Sequence, residues 1–306
     1  MAIPTTRAKE ESIIRIDDKN CNGCGACVSV CKDFNFRIID GKVAKTNTPA
    51  FGCVGCGHCM MICPSNVIAI EGRSLSPLEL FKLPSKESVP GYDSLLAMLQ
   101  RRRSIREFDD RPVEQEKINQ ILEAAQTAPM GIPPSDVHVV VLENQPQVRR
   151  FTEEFSNYLE SIRWMASNWF LALMRPFWGK ANDEMMHKFV GPLFNVYVED
   201  MKSGNNWITY DAPLAMYFYG SPYSDPADPI IAATYAMIAG ESLGLGSCML
   251  GGIHPFIQHG KKARRFRERW GVKYPSREGL MVIFGYSKVH YKRGVKRTFA
   301  DVRRFC

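Results

Sequence analysis

The sequence predicts an α+β protein of two domains, a small cysteine-rich module followed by a larger sheet-and-helix domain. Three observations carry this expectation. The chain has 306 residues, more than one typical domain holds. Eight of its ten cysteines fall in two equally spaced runs before residue 64. Beyond residue 92, apolar runs of strand length alternate with helical patterns, as in a sheet covered by helices.

The cysteine runs set the chemistry of the first module. Cys21, Cys24, Cys27 and Cys31 follow C-x2-C-x2-C-x3-C, and Cys53, Cys56, Cys59 and Cys63 repeat it, with Pro64 after the last. This is the bacterial ferredoxin spacing for two [4Fe–4S] clusters, in which the fourth cysteine of each run ligates the other cluster. Cluster I is therefore assigned to Cys21, Cys24, Cys27 and Cys63, and cluster II to Cys53, Cys56, Cys59 and Cys31. Gly23, Gly25, Ala26, Gly55 and Gly57 give the backbone the freedom to wrap tightly. Zinc is a poorer reading, because a tetrahedral ion pairs two separate knuckles and leaves a third cysteine unused. Disulfides belong to secreted chains, and Met1–Ser12 has mixed charge without the apolar core of a signal peptide. Lys32 stands where a proline often follows the fourth cysteine, and His58 lies inside the second run as a surplus donor.

Residues 1–72 form the expected cluster module, with strands at Ile13–Ile16 and Val67–Ile70. Residues 73–91 carry Pro77, Pro84 and Pro90 and read as a linker. Residues 92–306 form the second domain. Helices are expected from Tyr92 to Arg102, from Glu114 to Ala128 and from Ile230 to Leu243. Strands are expected at Val137–Leu142, Pro213–Gly220 and Leu280–Tyr286. Between Phe151 and Trp207 lie many aromatic residues, including Trp164, Trp169, Phe170, Phe177, Trp178, Phe189, Phe194 and Tyr197. Their ordinary meaning is core or dimer packing, and the sharper one is a lid over a flat substrate.

A net charge of +7 raises the question of nucleic acid. The late basic stretch Lys261–Trp270 reads instead as a solvated amphipathic helix with Phe266 and Trp270 inward. No apolar run is long enough for a transmembrane helix. The expectations are no nucleic acid, no membrane, and the reducing cytoplasm.

Four segments of the second domain occur in series. They are Arg102–Val113 (RRSIREFDDRPV) with Ala128–Pro129 after its helix; the helix from Asp228 to Gly240 leading into ESLGLGSCMLGG at Gly252; Val282–Ser287; and the basic Tyr291–Arg297. Together they resemble the nitroreductase-like FMN enzymes, over roughly residues 95–304. Joined to a two-cluster module, the chain resembles the ferredoxin-fused branch of that family. The resemblance implies a nitroreductase-like FMN-binding sheet-and-helix fold, a homodimer with FMN at its interface, and EC class 1 chemistry.

The same resemblance implies the FMN contacts. Arg102, Arg103 and Ser104 meet the phosphate with charge-assisted and hydroxyl bonds, and Lys296 and Arg297 close it from the other end. Arg106 approaches the N1–O2 edge of the ring, where a cation favours the reduced flavin. Leu250 packs on the ring, while Gly251 and Gly252 let the backbone reach N5 and O4. Pro129, Met130 and Gly131 open a loop in which Pro133 and Ser135 replace the family's asparagine and glutamine. Cys248 and Cys306 lie outside the cluster runs, and Cys248 reads as a small buried residue. His138, His187, His254, Tyr210 and Glu199 are scattered, and none is assigned as a catalytic acid or base.

The expected function is an oxidoreductase that takes electrons from a low-potential donor such as ferredoxin or flavodoxin. They pass through the clusters and FMN to an organic acceptor, a nitro compound or an enone. A non-catalytic flavin and iron–sulfur carrier serving a partner protein is the alternative. A dehydrogenase running in the opposite direction is a third reading.

Overall fold

The computed structural model describes residues 3–305, with the side chain of Trp178 also left undescribed; Cys306 therefore lies outside the described residues. The first module contains β1 (Ile13–Ile16), α1 (Ala26–Val30), β2 (Phe36–Ile39), β3 (Lys42–Lys45), α2 (His58–Ile62) and β4 (Ile68–Glu71). β1 pairs antiparallel with β4, Ile14 opposite Ile70. The final strand thus begins one residue later than its apolar run suggests. β2 and β3 form a hairpin that the sequence reading passed over. Asp40 and Gly41 at its turn both have positive φ, 48° and 72°, the signature of a tight primed turn.

The two cysteine runs fold alike. Each ends its glycine-rich turn on a left-handed residue, Gly25 at φ 75° and Gly57 at φ 74°, and then enters a five-residue helix. A Cβ would be strained there, so glycine is required by conformation. The core beneath them is small: Phe36, Val43, Met60, Val67, Ile68 and Ile70, with Cys27 and Cys59. Leu75 packs on it too, past residue 72 where the module was expected to end. The remainder of 73–91 has only two 3-10 turns, at Pro77–Glu79 and Lys86–Ser88, and is largely exposed.

The second domain opens with α3 (Tyr92–Arg101) and α4 (Gln115–Gln126), followed by β5 (Val137–Leu142) and α5 (Gln145–Ser161). An excursion comes next: α6 (Asn168–Met185), α7 (Gly191–Asn195) and two π-helical turns around α7. Gly179 breaks α6 with a φ of 70°, three residues after Pro176. The chain then returns through β6 (Leu214–Gly220), α8 (Ala227–Ser242), β7 (Gly246–Leu250), α9 (Lys261–Arg269) and β8 (Gly279–Gly285). The sheet order is β5-β6-β8-β7, antiparallel throughout.

β6 and β8 are buried along their whole length. Their alternate residues supply two separate cores. Leu214, Met216 and Phe218 pack with α4 and α8, through Ile118, Ile121, Ala233 and Ala236. Ala215, Tyr217 and Tyr219 pack with α5 and α9, through Phe155, Leu159 and Phe266. Helices on both faces explain why these strands read as unbroken apolar runs. Each large side chain so buried contributes about 1.5–3 kcal/mol. α8 sits close to the sheet because Gly240 leaves room: a Cβ there would meet Phe284 at 3.0 Å.

α9 matches its amphipathic reading, with Phe266 buried and Trp270 packed on the core. One member corrects it. Arg267 is buried rather than solvated, and donates to the Ile257 and Gln258 carbonyls. Those carbonyls close the loop that carries His254. His254 Nδ1 lies 2.8 Å from Tyr217 Oη, and Nε2 lies 3.4 Å from the Arg277 carbonyl. A neutral ring fits both, accepting from the phenol and donating to the carbonyl.

Burial holds the His254 pKa below its ordinary 6.5. The unfolded chain therefore binds a proton below pH 6.5 that the folded chain refuses, and stability falls as pH drops through that range. We expect urea unfolding between pH 7.5 and 5 to show this loss, with His254→Asn reducing the slope. His138, also lowered by burial, retains the remainder.

Candidate functional site

The structure gathers the cysteines into two crossed groups. Cys21, Cys24, Cys27 and Cys63 line one recess with Ala26, Val43 and Val67. Cys53, Cys56 and Cys59 lie within electrostatic reach of one another and of Cys31. In each group the second cysteine is exposed and the third is buried: Cys24 and Cys56 outward, Cys27 and Cys59 inward. Burial pushes the Cys59 thiol up to about 12, reinforced by Cys53, Cys56 and Cys31. Cys27 and Cys53 are also raised, chiefly by burial. Four sulfurs crowded with little water favour a cationic centre that accepts thiolates.

Among the described residues, no three His, Cys, Asp or Glu side chains converge as a single metal ion requires. A cubane takes each thiolate at a different corner, so the donor set suits a cluster better than one ion. Amide donors also point at the sulfurs. Gly23 and Val43 N–H groups each lie 3.4 Å from Cys21 Sγ. Asn35 offers its backbone N at 3.4 Å and its side-chain Nδ2 at 3.5 Å to Cys31 Sγ. Lys32 donates to the Ser29 carbonyl and closes α1 where a proline was the other option.

The segment after α3 is laid across two strand ends. Ser104 bridges Ser247 of β7, and Phe108 bridges Ser287 beyond β8. Ile105 fills the space above Gly246, where a Cβ would come within 2.6 Å of it. Bridge partners share a face of the sheet, so the Ser104 and Ser247 hydroxyls lie on one side. Ser247 Oγ is buried without a hydrogen-bond partner, on the sheet face of Phe284. Arg102 and Arg103 are half-buried beside them. The basic tail crosses here, since a Cβ at Gly294 would lie 2.3 Å from Arg103 Nη2. Lys296 and Arg297 follow, exposed.

Arg106 stands 5.7 Å from the centre of the Tyr210 ring and lines a polar cleft with Tyr210, Asp211, Arg149 and Lys288, a cleft that none of the other expected FMN contacts lines. Tyr210 and Asp211 have positive φ, 55° and 48°, and are held by Asn206, whose Nδ2 lies 2.9 Å from Asp211 Oδ1. Leu250 is buried, Gly251 is exposed and Gly252 is half-buried. Tyr197 covers Gly252: a Cβ there would meet its Oη at 3.0 Å. Burial pushes the Tyr197 hydroxyl up to about 12, keeping it protonated. The sequence placed this tyrosine only among the aromatic residues of a possible lid.

The other scattered candidates fall away from this region. His254 and His138 belong to the sheet core, His187 pairs with Asp183, and Glu199 pairs with Arg163. Cys248 is buried, as expected. Trp164, Trp169, Phe177 and Phe189 are largely exposed.

The loop that opens with Pro129 and Met130 is fastened from both ends. Gly131 N–H donates to Asp228 Oδ1 at 3.0 Å. The Pro133 carbonyl accepts from Arg73 at 2.6 Å. Asp136, just past the loop, is buried and accepts from Thr6 N, Thr6 Oγ1 and Ser221 Oγ. The N-terminal arm is thereby tied to the second domain.

Residues 99–286, more than half of the chain, match the nitroreductase family. The chain belongs to that family. A nitroreductase from Bacteroides fragilis NCTC 9343, solved with bound FMN, covers 69% of this chain and 98% of its own at 19% identity, with a TM-score of 0.50. That similarity shows a shared nitroreductase fold, which occupies the C-terminal part here. A nitroreductase with bound FMN from Desulfitobacterium hafniense DCB-2 has 21% identity over 68% of this chain and 98% of its own, at a TM-score of 0.47. An FMN-dependent nitroreductase from Clostridium difficile R20291 has 17% identity over 69% and 99%, also at 0.47. No curated protein matches the chain. Among the described residues no helix is long and apolar enough to cross a membrane.

Removing the Asp136 carboxylate strands the buried Ser221 hydroxyl, at a cost of about 1–3 kcal/mol, and releases the exposed Thr6 from its two bonds. Asp136→Ala is expected to lower the melting temperature and to expose residues 3–12 to limited proteolysis. Unchanged cleavage of that arm would show that other contacts hold it.

Proposed function

We propose that this nitroreductase-family chain is an FMN- and iron–sulfur-dependent oxidoreductase. In this reading residues 1–72 are a ferredoxin-like 2[4Fe–4S] domain, 73–91 a connecting arm, and 92–306 the FMN domain. The observation that carries it is the crossed grouping of eight cysteines in a module bonded directly to the loop at Pro133. When bound, the clusters supply one-electron relay and FMN supplies the exchange between one- and two-electron chemistry.

The chain's own residues divide the work. Cys21, Cys24, Cys27 and Cys63 hold one cluster, and Cys53, Cys56, Cys59 and Cys31 the other. Arg102, Arg103 and Ser104 grip the phosphate, with Lys296 and Arg297 closing over it. Arg106 supplies positive charge at the ring edge. Leu250, Gly251 and Gly252 form the floor, and Pro129, Met130 and Gly131 the wall. The Tyr197 hydroxyl, beside Gly252, can donate a hydrogen bond to an acceptor bound there.

A flat nitroaromatic or enone is the substrate class that suits the aromatic residues from Trp164 to Trp207. A reduced ferredoxin or flavodoxin is the donor, and the exposed basic tail suits acidic carriers of that kind. Met249 and the apolar residues of α6, Trp169 and Leu173 among them, are exposed and support a homodimer. Free thiols and oxygen-sensitive clusters suit the reducing cytoplasm.

The test is anaerobic reconstitution followed by cofactor analysis. About eight irons, eight sulfides and one FMN per chain are expected. Arg103→Ala should weaken FMN by at least about tenfold while leaving riboflavin affinity unchanged, because the arginine addresses the phosphate. Chains free of flavin and of iron would overturn the reading. Rapid reoxidation by carrier proteins alone, with no response to nitro compounds or enones, would favour a non-catalytic carrier.

A further inference from the structure

The contacts between the two modules are few and specific. Thr6 and Arg7 tie the N-terminal arm to Asp136 and Ser135. Arg73, in the turn after β4, also crosses, and its side chain is bonded to a cysteine loop. Its Nε donates to the Val54 carbonyl at 2.9 Å, next in sequence to Cys53. Nη1 donates to the Glu10 carbonyl at 3.0 Å, and Nη2 reaches the Pro133 carbonyl at 2.6 Å. The side chain is 6% exposed, so these bonds form largely out of water. A lysine has no planar fork to satisfy three carbonyls at once.

The backbone supports the same conclusion. Arg73 and Ser74 have φ of 53° and 61°, a region that non-glycine residues occupy only when their surroundings enforce it. Here the enforcing contact is the guanidinium seated among three carbonyls. The Arg73 Cβ packs so near Gly55 that a Cβ added there would lie 3.4 Å from it. The charge is also placed with care: burial opposes it, and Cys53 and Asp136 favour it.

We propose that Arg73 is a positioning residue that fixes the passage of electrons from the Cys53–Cys56–Cys59–Cys31 group to the flavin loop. This rests on the function proposed above. In this proposal the group bonded through Arg73 is the one that passes electrons to the loop at Pro133. The donor is a reduced one-electron iron–sulfur protein. Two donor molecules each give up one electron, two protons come from solvent, and one acceptor gains two electrons and two protons. Arg73 forms and breaks no covalent bond in this sequence. It holds Val54 and Pro133 to one guanidinium, so the gap between the two sites does not widen.

The experiment compares parent, Arg73→Gln and Arg73→Lys in the reconstituted holoprotein under anaerobic stopped flow. Reduction of the flavin by excess reduced ferredoxin should slow at least about tenfold in R73Q, and by a smaller factor in R73K, which keeps the charge but loses the fork. Reoxidation of prereduced flavin by p-nitrobenzoate bypasses the module and should stay within about twofold of the parent. Hydrogen exchange without FMN should quicken in residues 51–56 and 129–136 of R73Q and stay unchanged in β6 and β8. If R73Q fails to fold, R73K carries the same comparison. Parental reduction rates in the variants overturn the assignment. Equal losses in both half-reactions also overturn it, since they mark a merely structural arginine. A parent chain lacking flavin or iron overturns the underlying reading instead.

Discussion

The antiparallel pairing of β6 with β8, from Leu214 opposite Phe284 to Tyr219 opposite Gly279, is the constraint on which the rest is hung. Both strands are buried on both faces, so a slip of one residue would exchange the two cores. The position of β7 beside β8 follows from it, and with β7 comes the place where Ser104 can bridge Ser247. At the far end, β5 pairs with β6 and delivers Asp136 to the N-terminal arm. The arginine-rich segment and the proline loop are therefore carried by a rigid frame, while the residues that face a ligand stay on its rim.

Charge is handled differently in the two halves. In the cysteine module the buried thiols resist ionisation, and amide donors reach toward the sulfurs. Were a cationic centre to bind there, its insertion and folding would be coupled, because the thiolate state becomes favourable only against such a centre. In the family domain the cations are already paired or solvated at the rim, with Arg106 over Tyr210 and Arg103 against Gly294. Arg267 and Arg73 are the buried exceptions, and both are satisfied by backbone carbonyls. A carbonyl cage stabilises a guanidinium without introducing a countercharge.

Much of this was legible in the residues. The cysteine spacing, as the bacterial ferredoxin run, led to the expectation that Cys31 and Cys63 change groups, and the structure sets Cys63 with Cys21, Cys24 and Cys27 and Cys31 near Cys53 and Cys59. The strands β5, β6 and β8 were visible as apolar runs because helices cover both faces. β7 was missed as a strand because Gly246 and Ser247 lack the branched side chains that mark one, and its pairing comes from tertiary contact. The β2–β3 hairpin carried its own signal, Asp40–Gly41 between apolar positions, which went unread beside the cysteines. Arg73, Ser247 and Tyr197 are different: nothing local distinguishes them from ordinary polar residues. Their meaning arises from what the fold brings against them, a carbonyl, a bridging serine and a bare glycine.

The repeated turn at Gly25 and Gly57 has a chemical consequence. It presents the middle cysteine of each run, Cys24 and Cys56, to solvent while folding Cys27 and Cys59 inward. A thiol reagent from solvent therefore has the same access in both runs: one cysteine stands open and the next is shielded.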